Sequence, residues 1–241
     1  MKRYLPFAIL GAVFLGALGA GSLLFHVKKE RLVAARAAAS AAAIKAALSG
    51  NVGADPPHVR GPHSAPVTLE EFGDFQCQPC GDLSPILEKI EQDYSARLRV
   101  IFRQFPLAMH RHALEAARAS EAAGLQGRFW EMHDSLYHNR FVWPGASDVR
   151  TAFNDYAKSL GLDLERFKKD IDSEQVGARI AADLIRGKSL RVDRTPVLFI
   201  NNRQVPFTSL NPPGLHAAID EALKGKANTP KVESERGRSS N

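Results

Sequence analysis

Two cysteines, Cys77 and Cys80, stand three residues apart where an apolar stretch gives way to a helix-like one. The 241-residue chain contains no other cysteine. Two thiols cannot build a disulfide-rich scaffold, nor by themselves a four-thiolate zinc site. Residues three apart lie on one face of a helix, so the two sulfurs can close a disulfide there. The spacing therefore predicts a redox pair at a helix N-terminus, and the rest of the fold must accommodate that junction.

A helix is predicted from near Cys77 to about Tyr94. Pro79 falls in its first turn, where the missing N–H costs nothing. Free N–H groups and the positive end of the helix dipole stabilise a thiolate at this position, so the pKa of Cys77 is expected to fall. We therefore expect Cys77 to be the solvent-facing nucleophile and Cys80 to be the more buried resolving thiol.

Glu71 is the third residue assigned to the site. Residues 66–72 predict a strand, and Glu71 shares one face of it with Val67 and Leu69. A carboxylate beneath Cys80 would be buried, its pKa would rise, and it could relay a proton to or from that thiol. The alternative is a surface glutamate at a strand end, and the residues leave both interpretations open.

The residues also admit other chemistries. The two cysteines could be structural thiols, or half of a zinc site completed by histidines. We expect the histidines of the middle region to be core or surface residues and expect no metal; they are His110, His112, His133 and His138. The net charge is +6 and the pI is near 9.4. Because the basic residues are dispersed rather than interleaved with aromatic ones, nucleic-acid binding is not expected.

The N-terminus predicts attachment to a membrane. Lys2 and Arg3 precede the uncharged run Tyr4–Val27, which is long enough to cross a bilayer as a helix. Residues 1–29 are expected to be an uncleaved anchor, with a cleaved secretory signal as the alternative. The alanine-rich residues 30–54 predict a helical stalk and linker. A stored disulfide needs an oxidising compartment, so the rest of the chain is placed outside the cytoplasm.

Two segments resemble the DsbA-like branch of the thioredoxin superfamily. The first is the run from Gly61 to Cys80, and the second is Arg194–Asn201, which is similar to the cis-proline loop and following strand of that family. The resemblance extends over roughly Gly61–Lys224. It implies an α/β thioredoxin fold interrupted by a helical insertion at about 108–190.

The resemblance also assigns residues to substrate binding. It implies a cis peptide between Thr195 and Pro196, in a loop whose exposed backbone groups can pair with a substrate strand. Arg194, Gln78 and Pro79 are the other expected substrate-binding residues. The family often has proline followed by histidine or tyrosine between the cysteines. With Gln78 and Pro79 there instead, the pair is expected to be less strongly oxidising.

The predicted organisation is an anchor, a stalk, a DsbA-like domain at 55–224 and a disordered tail at 225–241. The expected function is a thiol–disulfide oxidase that passes the Cys77–Cys80 disulfide to cysteine-containing exported proteins. The resemblance implies no cofactor, a monomer, and a membrane quinone-linked reoxidising partner of the DsbB-like or VKOR-like type. It places the protein in the bacterial cell membrane as a single-pass protein with its domain on the periplasmic side, or in the periplasm after signal cleavage.

Two other functions stay open. One is a disulfide reductase or isomerase that uses the same residues, and a strongly reducing potential would favour it. The other is a non-catalytic binding or chaperone module, because a thioredoxin scaffold does not by itself fix function. That module would keep its activity in a Cys77→Ser variant.

Overall fold

The computed structural model describes residues 28–29 and 53–227. The chain divides into two units, Met1–Ser49 and Gly50–Asn241, and the elements below belong to the second. The predicted membrane run and nearly all of the predicted stalk and tail lie outside the described residues. Among the residues that are described, no helix has both the length and the apolar character needed to cross a membrane.

A five-stranded mixed sheet forms the centre of the domain. Its spatial order is β1-β3-β2-β4-β5. The central pair β2 and β3 is parallel, and the other neighbouring pairs are antiparallel. Since β2 has a strand on each side, its backbone is hydrogen-bonded along both edges. The strands are β1 (His58–Arg60), β2 (Val67–Gly73), β3 (Leu98–Gln104), β4 (Val197–Ile200) and β5 (Arg203–Gln204).

The described helices divide into two that flank the sheet and five that form an insertion. The flanking pair is α1 (Gln78–Tyr94) and α7 (Pro212–Ala227). The insertion lies between β3 and β4 and confirms the expected thioredoxin-like α/β fold with a helical insertion. Its helices are α2 (Ala113–Gly124), α3 (Phe129–His138), α4 (Val149–Ser159), α5 (Leu164–Ile171) and α6 (Glu174–Ser189).

Helix α1 packs against one face of β2. Leu83 and Leu87 of the helix share a buried cluster with Val67 and Leu69 of the strand. Burial of each such side chain contributes about 1.5–3 kcal/mol. Because alternate residues of a strand point to the same side, Glu71 is directed toward α1 as well. The packing that holds the helix therefore also fixes a carboxylate under its N-terminal end.

A buried ion-pair network joins the other face of the strands to the insertion. Arg103 donates to Glu70 at 2.8 Å and to Asp183 at 3.0 Å. Arg186 binds the same Glu70 carboxylate at 2.7 and 2.6 Å. Asp183 also accepts the backbone N–H of Ala54 at 2.7 Å. Since removal of one partner leaves a buried charge uncompensated, this network fixes helix α6 against the sheet.

Candidate active site

Cys77 is the N-cap residue of α1. Its backbone is extended (φ −70°, ψ 122°), and its carbonyl oxygen accepts the N–H of Gly81 at 3.1 Å. Pro79 is in the first turn of the helix, as the sequence predicts. The Cys77 side chain keeps 4% of its surface exposed and Cys80 keeps none. Cys77 is thus the more accessible sulfur of the two, although it is far more buried than the solvent-facing position that we expected.

The two thiols differ strongly in acidity. The Cys80 thiol donates a hydrogen bond to the Cys77 sulfur, and this lowers the pKa of Cys77 to about 6 from the ordinary 9.0, against an opposing effect of burial. Burial raises the pKa of Cys80 well above 9.0, and the hydrogen bond to Cys77 and the charge of Glu71 act in the same direction. At neutral pH the pair therefore holds one thiolate, on Cys77, and one thiol.

The cis-proline loop lies against the nucleophile. The Thr195–Pro196 peptide is cis. The Cys77 sulfur lies 3.4 Å from the Thr195 carbonyl oxygen, which accepts a hydrogen bond from Cys77 when that thiol is protonated. Thr195 and Pro196 are buried, whereas the three other predicted substrate-binding residues are exposed: Arg194, Gln78 and Pro79. The buried Thr195–Pro196 peptide and the three exposed side chains thus belong to the two segments that meet at the Cys77 sulfur.

Glu71 is a buried residue, with only 3% of its surface exposed, so it is not the surface glutamate of the alternative interpretation. Its Oε1 atom has no hydrogen-bond partner. Burial raises its pKa to about 8, and the negative charges of Glu91 and Cys77 add to the rise. A carboxyl that titrates near neutral pH beside a buried thiol can give up or accept a proton there.

Asp74 holds the loop that leads into Cys77. One of its oxygens accepts the backbone N–H of Gln76 at 2.8 Å. The other lies 2.8 Å from Nδ1 of His110 and also accepts the N–H of Leu107 at 2.8 Å. The Gln76 side chain in turn accepts the N–H of His112 at 2.7 Å. Sequence reasoning did not assign a role to Asp74; its position just before the cysteine motif was the available signal.

In the described part of the chain, no three His, Cys, Asp or Glu side chains are grouped as metal ligands. His133 is buried beside Asp134, with Nδ1 at 2.8 Å from the carboxylate. His138 lies at the exposed end of α3. The four histidines therefore divide between contacts to the active-site loop and contacts within α3.

The chain matches the thioredoxin family over residues 54–221. It is 38% identical to the Na(+)/H(+) antiporter NhaA 1 of Salinispora arenicola over 183 residues, which are 75% of this chain and 27% of the antiporter. It is also 38% identical to NhaA 1 of Mycolicibacterium gilvum over 152 residues, 61% of this chain and 24% of the antiporter. The chain thus spans about a quarter of the length of these curated relatives.

Solved structures show the same fold. A thioredoxin-like oxidoreductase from Silicibacter pomeroyi is 28% identical, with a TM-score of 0.60 and coverage of 70% of this chain and 94% of that one. BdbD from Bacillus subtilis is 25% identical, with a TM-score of 0.61 and coverage of 73% and 100%. At 22% identity, Wolbachia pipientis alpha-DsbA1 shares the fold, with a TM-score of 0.60 and coverage of 72% and 93%. The chain belongs to the thioredoxin family.

Proposed function

We propose that the protein is a thiol–disulfide oxidase that transfers the Cys77–Cys80 disulfide to exported proteins. The observation that carries this proposal is the asymmetry of the dithiol. Cys77 has a lowered pKa and adjoins the cis-proline loop, whereas Cys80 is fully buried with a raised pKa. Cys77 keeps 4% of its surface exposed and Cys80 keeps none, so a substrate reaches the sulfur with the lowered pKa first, and the fully buried thiol suits the resolving role.

The exchange runs in two steps. A substrate thiolate attacks the Cys77 sulfur, the Cys77–Cys80 bond breaks, and its electron pair goes to Cys80, which takes a proton from the Glu71 carboxyl. A second substrate thiolate then attacks the substrate sulfur of the mixed disulfide, and Cys77 leaves as a thiolate. The substrate has lost two electrons and gained a disulfide, and the protein dithiol holds those electrons.

Thiolate stability supports the oxidising direction. A pKa near 6 makes Cys77 mostly ionised at neutral pH, whereas an ordinary thiol with a pKa of 9.0 is almost wholly protonated. This ionisation stabilises the reduced form by about 1.4 kcal/mol, equivalent to roughly 30 mV for a two-electron couple. The reduced form is favoured to that extent, so the disulfide is more readily passed to a substrate.

The proposal also covers the location of the protein and the partner that reoxidises it. The uncharged run Tyr4–Val27 supports a single-pass anchor in a bacterial membrane, and the need for an oxidising compartment supports a periplasmic domain. After each transfer the reduced pair needs an electron acceptor, for which we propose a membrane quinone-linked partner of the DsbB-like or VKOR-like type. The protein would act as a monomer without a cofactor.

The test is to trap the mixed disulfide in cells. In a Cys80→Ala variant the Cys77 thiolate can still attack a disulfide of an exported protein, but the thiol that would attack Cys77 and release that protein is missing. Exported proteins should therefore accumulate as disulfide-linked adducts that a reductant releases. The matched control is the Cys77→Ala, Cys80→Ala double variant, which should give none. Absence of adducts through Cys77 would refute the oxidase, and a strongly reducing potential in a glutathione titration of the wild-type protein would identify a reductase instead.

A further inference from the structure

Tyr137, on helix α3 of the insertion, has a buried hydroxyl group for which the thiol chemistry described above has no use. Its ring packs against Phe75 and His133, with ring centres 4.9 Å away in both cases. The side chain is 4% exposed, and its oxygen has no hydrogen-bond partner. Buried polar groups almost always have a partner, so an unpartnered hydroxyl in a well-packed cluster calls for an explanation.

The hydroxyl lies at the strand end that leads to the cysteines. A Cβ atom placed on Gly73 would be 3.0 Å from the Tyr137 oxygen and 2.5 Å from the Phe102 ring. Gly73 follows Glu71 by two residues on β2, so both positions face the same side of the sheet. The lack of a side chain at Gly73 thus admits the tyrosine to the face of β2 that carries Glu71, whose Oε1 atom also has no hydrogen-bond partner.

The surroundings of this hydroxyl keep it protonated. Burial raises the pKa of Tyr137 well above 10.0, and nearby negative charges add to the rise. The charged or titratable groups that act on it are Cys80, Glu71, Asp74 and Cys77. The neighbouring His133 has its pKa lowered by burial, so it supplies no positive charge. Tyr137 is therefore a hydrogen-bond donor near groups that can carry negative charge. Arg140, which packs against Gly81, lines the same cavity as Tyr137, together with Glu88 and His138.

We propose that the Tyr137 hydroxyl donates a hydrogen bond to the negative charge that thiol–disulfide exchange places on Cys80 and Glu71. This inference rests on the proposed function and deepens it, since it makes the insertion a contributor to the chemistry rather than only a cover over the dithiol. Tyr137 has the role of a stabilising residue: it forms no covalent bond, and it lowers the cost of a charge that the buried resolving step requires.

Oxidation of the reduced protein by glutathione disulfide allows formation of the mixed disulfide and its resolution by Cys80 to be measured separately. The Cys77 thiolate attacks one glutathione sulfur and displaces a glutathione thiolate, which leaves a mixed disulfide. Cys80 then passes its proton to the Glu71 carboxylate, and its thiolate attacks the Cys77 sulfur. The second glutathione leaves with the electron pair, and the protein dithiol is oxidised as the glutathione disulfide is reduced. Only the second step places charge on Cys80.

The experiment measures both steps in Tyr137→Phe, which removes one oxygen and keeps the ring. Acid quenching and mass spectrometry follow the mixed disulfide across a range of pH. We expect the first step to be unchanged and the second to be about ten-fold slower at neutral pH, because hydrogen bonds to charged groups are among the stronger ones. The two proteins should converge at high pH, where Glu71 is already ionised. A loss of structure alone would slow the second step equally at all pH.

The matched control is Tyr156→Phe, which removes a partly buried hydroxyl from α4 of the same insertion. It should leave both steps unchanged, and an equal second step in Tyr137→Phe and wild type would overturn the inference. If wild type does not form the mixed disulfide at all, the proposed function fails instead. Should Tyr137→Phe not fold, replacement of the chain's 4 tyrosines by a more acidic fluorotyrosine should speed the second step, and an unchanged rate would overturn the inference.

Discussion

Replacement of Glu71 by glutamine tests the electrostatics of the site through stability. Glutamine keeps the shape of the side chain but removes its titration. In the unfolded chain Glu71 loses its proton near its ordinary pKa of 4.5, whereas the folded protein holds the proton until about pH 8. Between these values the unfolded state binds fewer protons than the folded one, so the wild-type free energy of unfolding falls as pH rises.

The size of this effect follows from the pKa shift. At about 1.4 kcal/mol per pKa unit, a rise from 4.5 to about 8 corresponds to roughly 5 kcal/mol. This energy is a loss of wild-type stability: it is small at or below pH 4.5 and nearly complete above pH 8. The buried glutamine amide carries its own cost of about 1–3 kcal/mol if it lacks partners. That cost is independent of pH, so it shifts the difference in free energy of unfolding between the two proteins by a constant and does not change how the difference varies with pH.

The assay is urea unfolding of the reduced proteins at several pH values. Glu71→Gln should gain on wild type by several kcal/mol between pH 5 and pH 8, and part of this gain comes from the cysteines, whose titration is coupled to Glu71 in wild type only. An increase of the difference with pH would establish that the carboxyl is buried and protonated in the folded state. A difference that stays flat over this range would mean that Glu71 titrates as a surface residue, and its role as a proton relay would fall with it.

Three further predictions follow from other contacts. Alkylation of Cys77 should reach half its maximal rate near pH 6, and Cys80→Ala should move this midpoint upward because the thiol hydrogen bond is lost; a midpoint near 9 in wild type would contradict the assigned acidity. Glu91→Gln removes a negative charge near Glu71, so the pH range over which Glu71→Gln gains stability on its parent should end at a lower pH. If that range does not move, the charge of Glu91 does not raise the pKa of Glu71. Arg103→Met should destabilise the domain by about 3–5 kcal/mol in urea, since it leaves the buried Asp183 carboxylate without its arginine partner, while Glu70 keeps Arg186. The control Arg203→Met removes an exposed ion pair and should change little, and equal effects of the two would contradict this account.

Local signals explain why the sequence predicts so much of the site. Pro79 marks the first turn of α1, and the positive end of a helix dipole favours the thiolate form of any thiol placed there. The second motif, with its cis peptide before Pro196, is equally local. The helical insertion follows from amphipathic segments that begin at capping residues, such as Ser173, whose hydroxyl accepts the N–H of Val176.

Contacts between distant segments account for what the sequence could not provide. The position of Glu71 in the fold decides between a relay and a surface residue, and only the packing of α1 on β2 shows that it is buried. The sequence alone does not show why residue 73 is a glycine. The structure does, because Tyr137 of α3 lies where a side chain at this position would be. Asp74 is likewise understood only when the loop near His110 is seen to close on it.

The acidities of the site are linked, and this linkage gives the exchange its order. The Cys77 thiolate raises the pKa of Glu71, and Glu71 in turn raises that of Cys80, so the buried region opposes a second negative charge. While Cys77 is ionised, Glu71 holds its proton. Burial and the charge of Glu91 keep the pKa of Glu71 above 4.5 in either state. When Cys77 enters a mixed disulfide its charge is gone and the pKa of Glu71 falls, so more of the carboxyl is ionised and able to accept the Cys80 proton. Cys80 is thus activated when there is a disulfide to attack, and a Glu71 pKa that does not differ between the reduced and mixed-disulfide states, as measured by carbon NMR of the carboxyl group, would rule this order out.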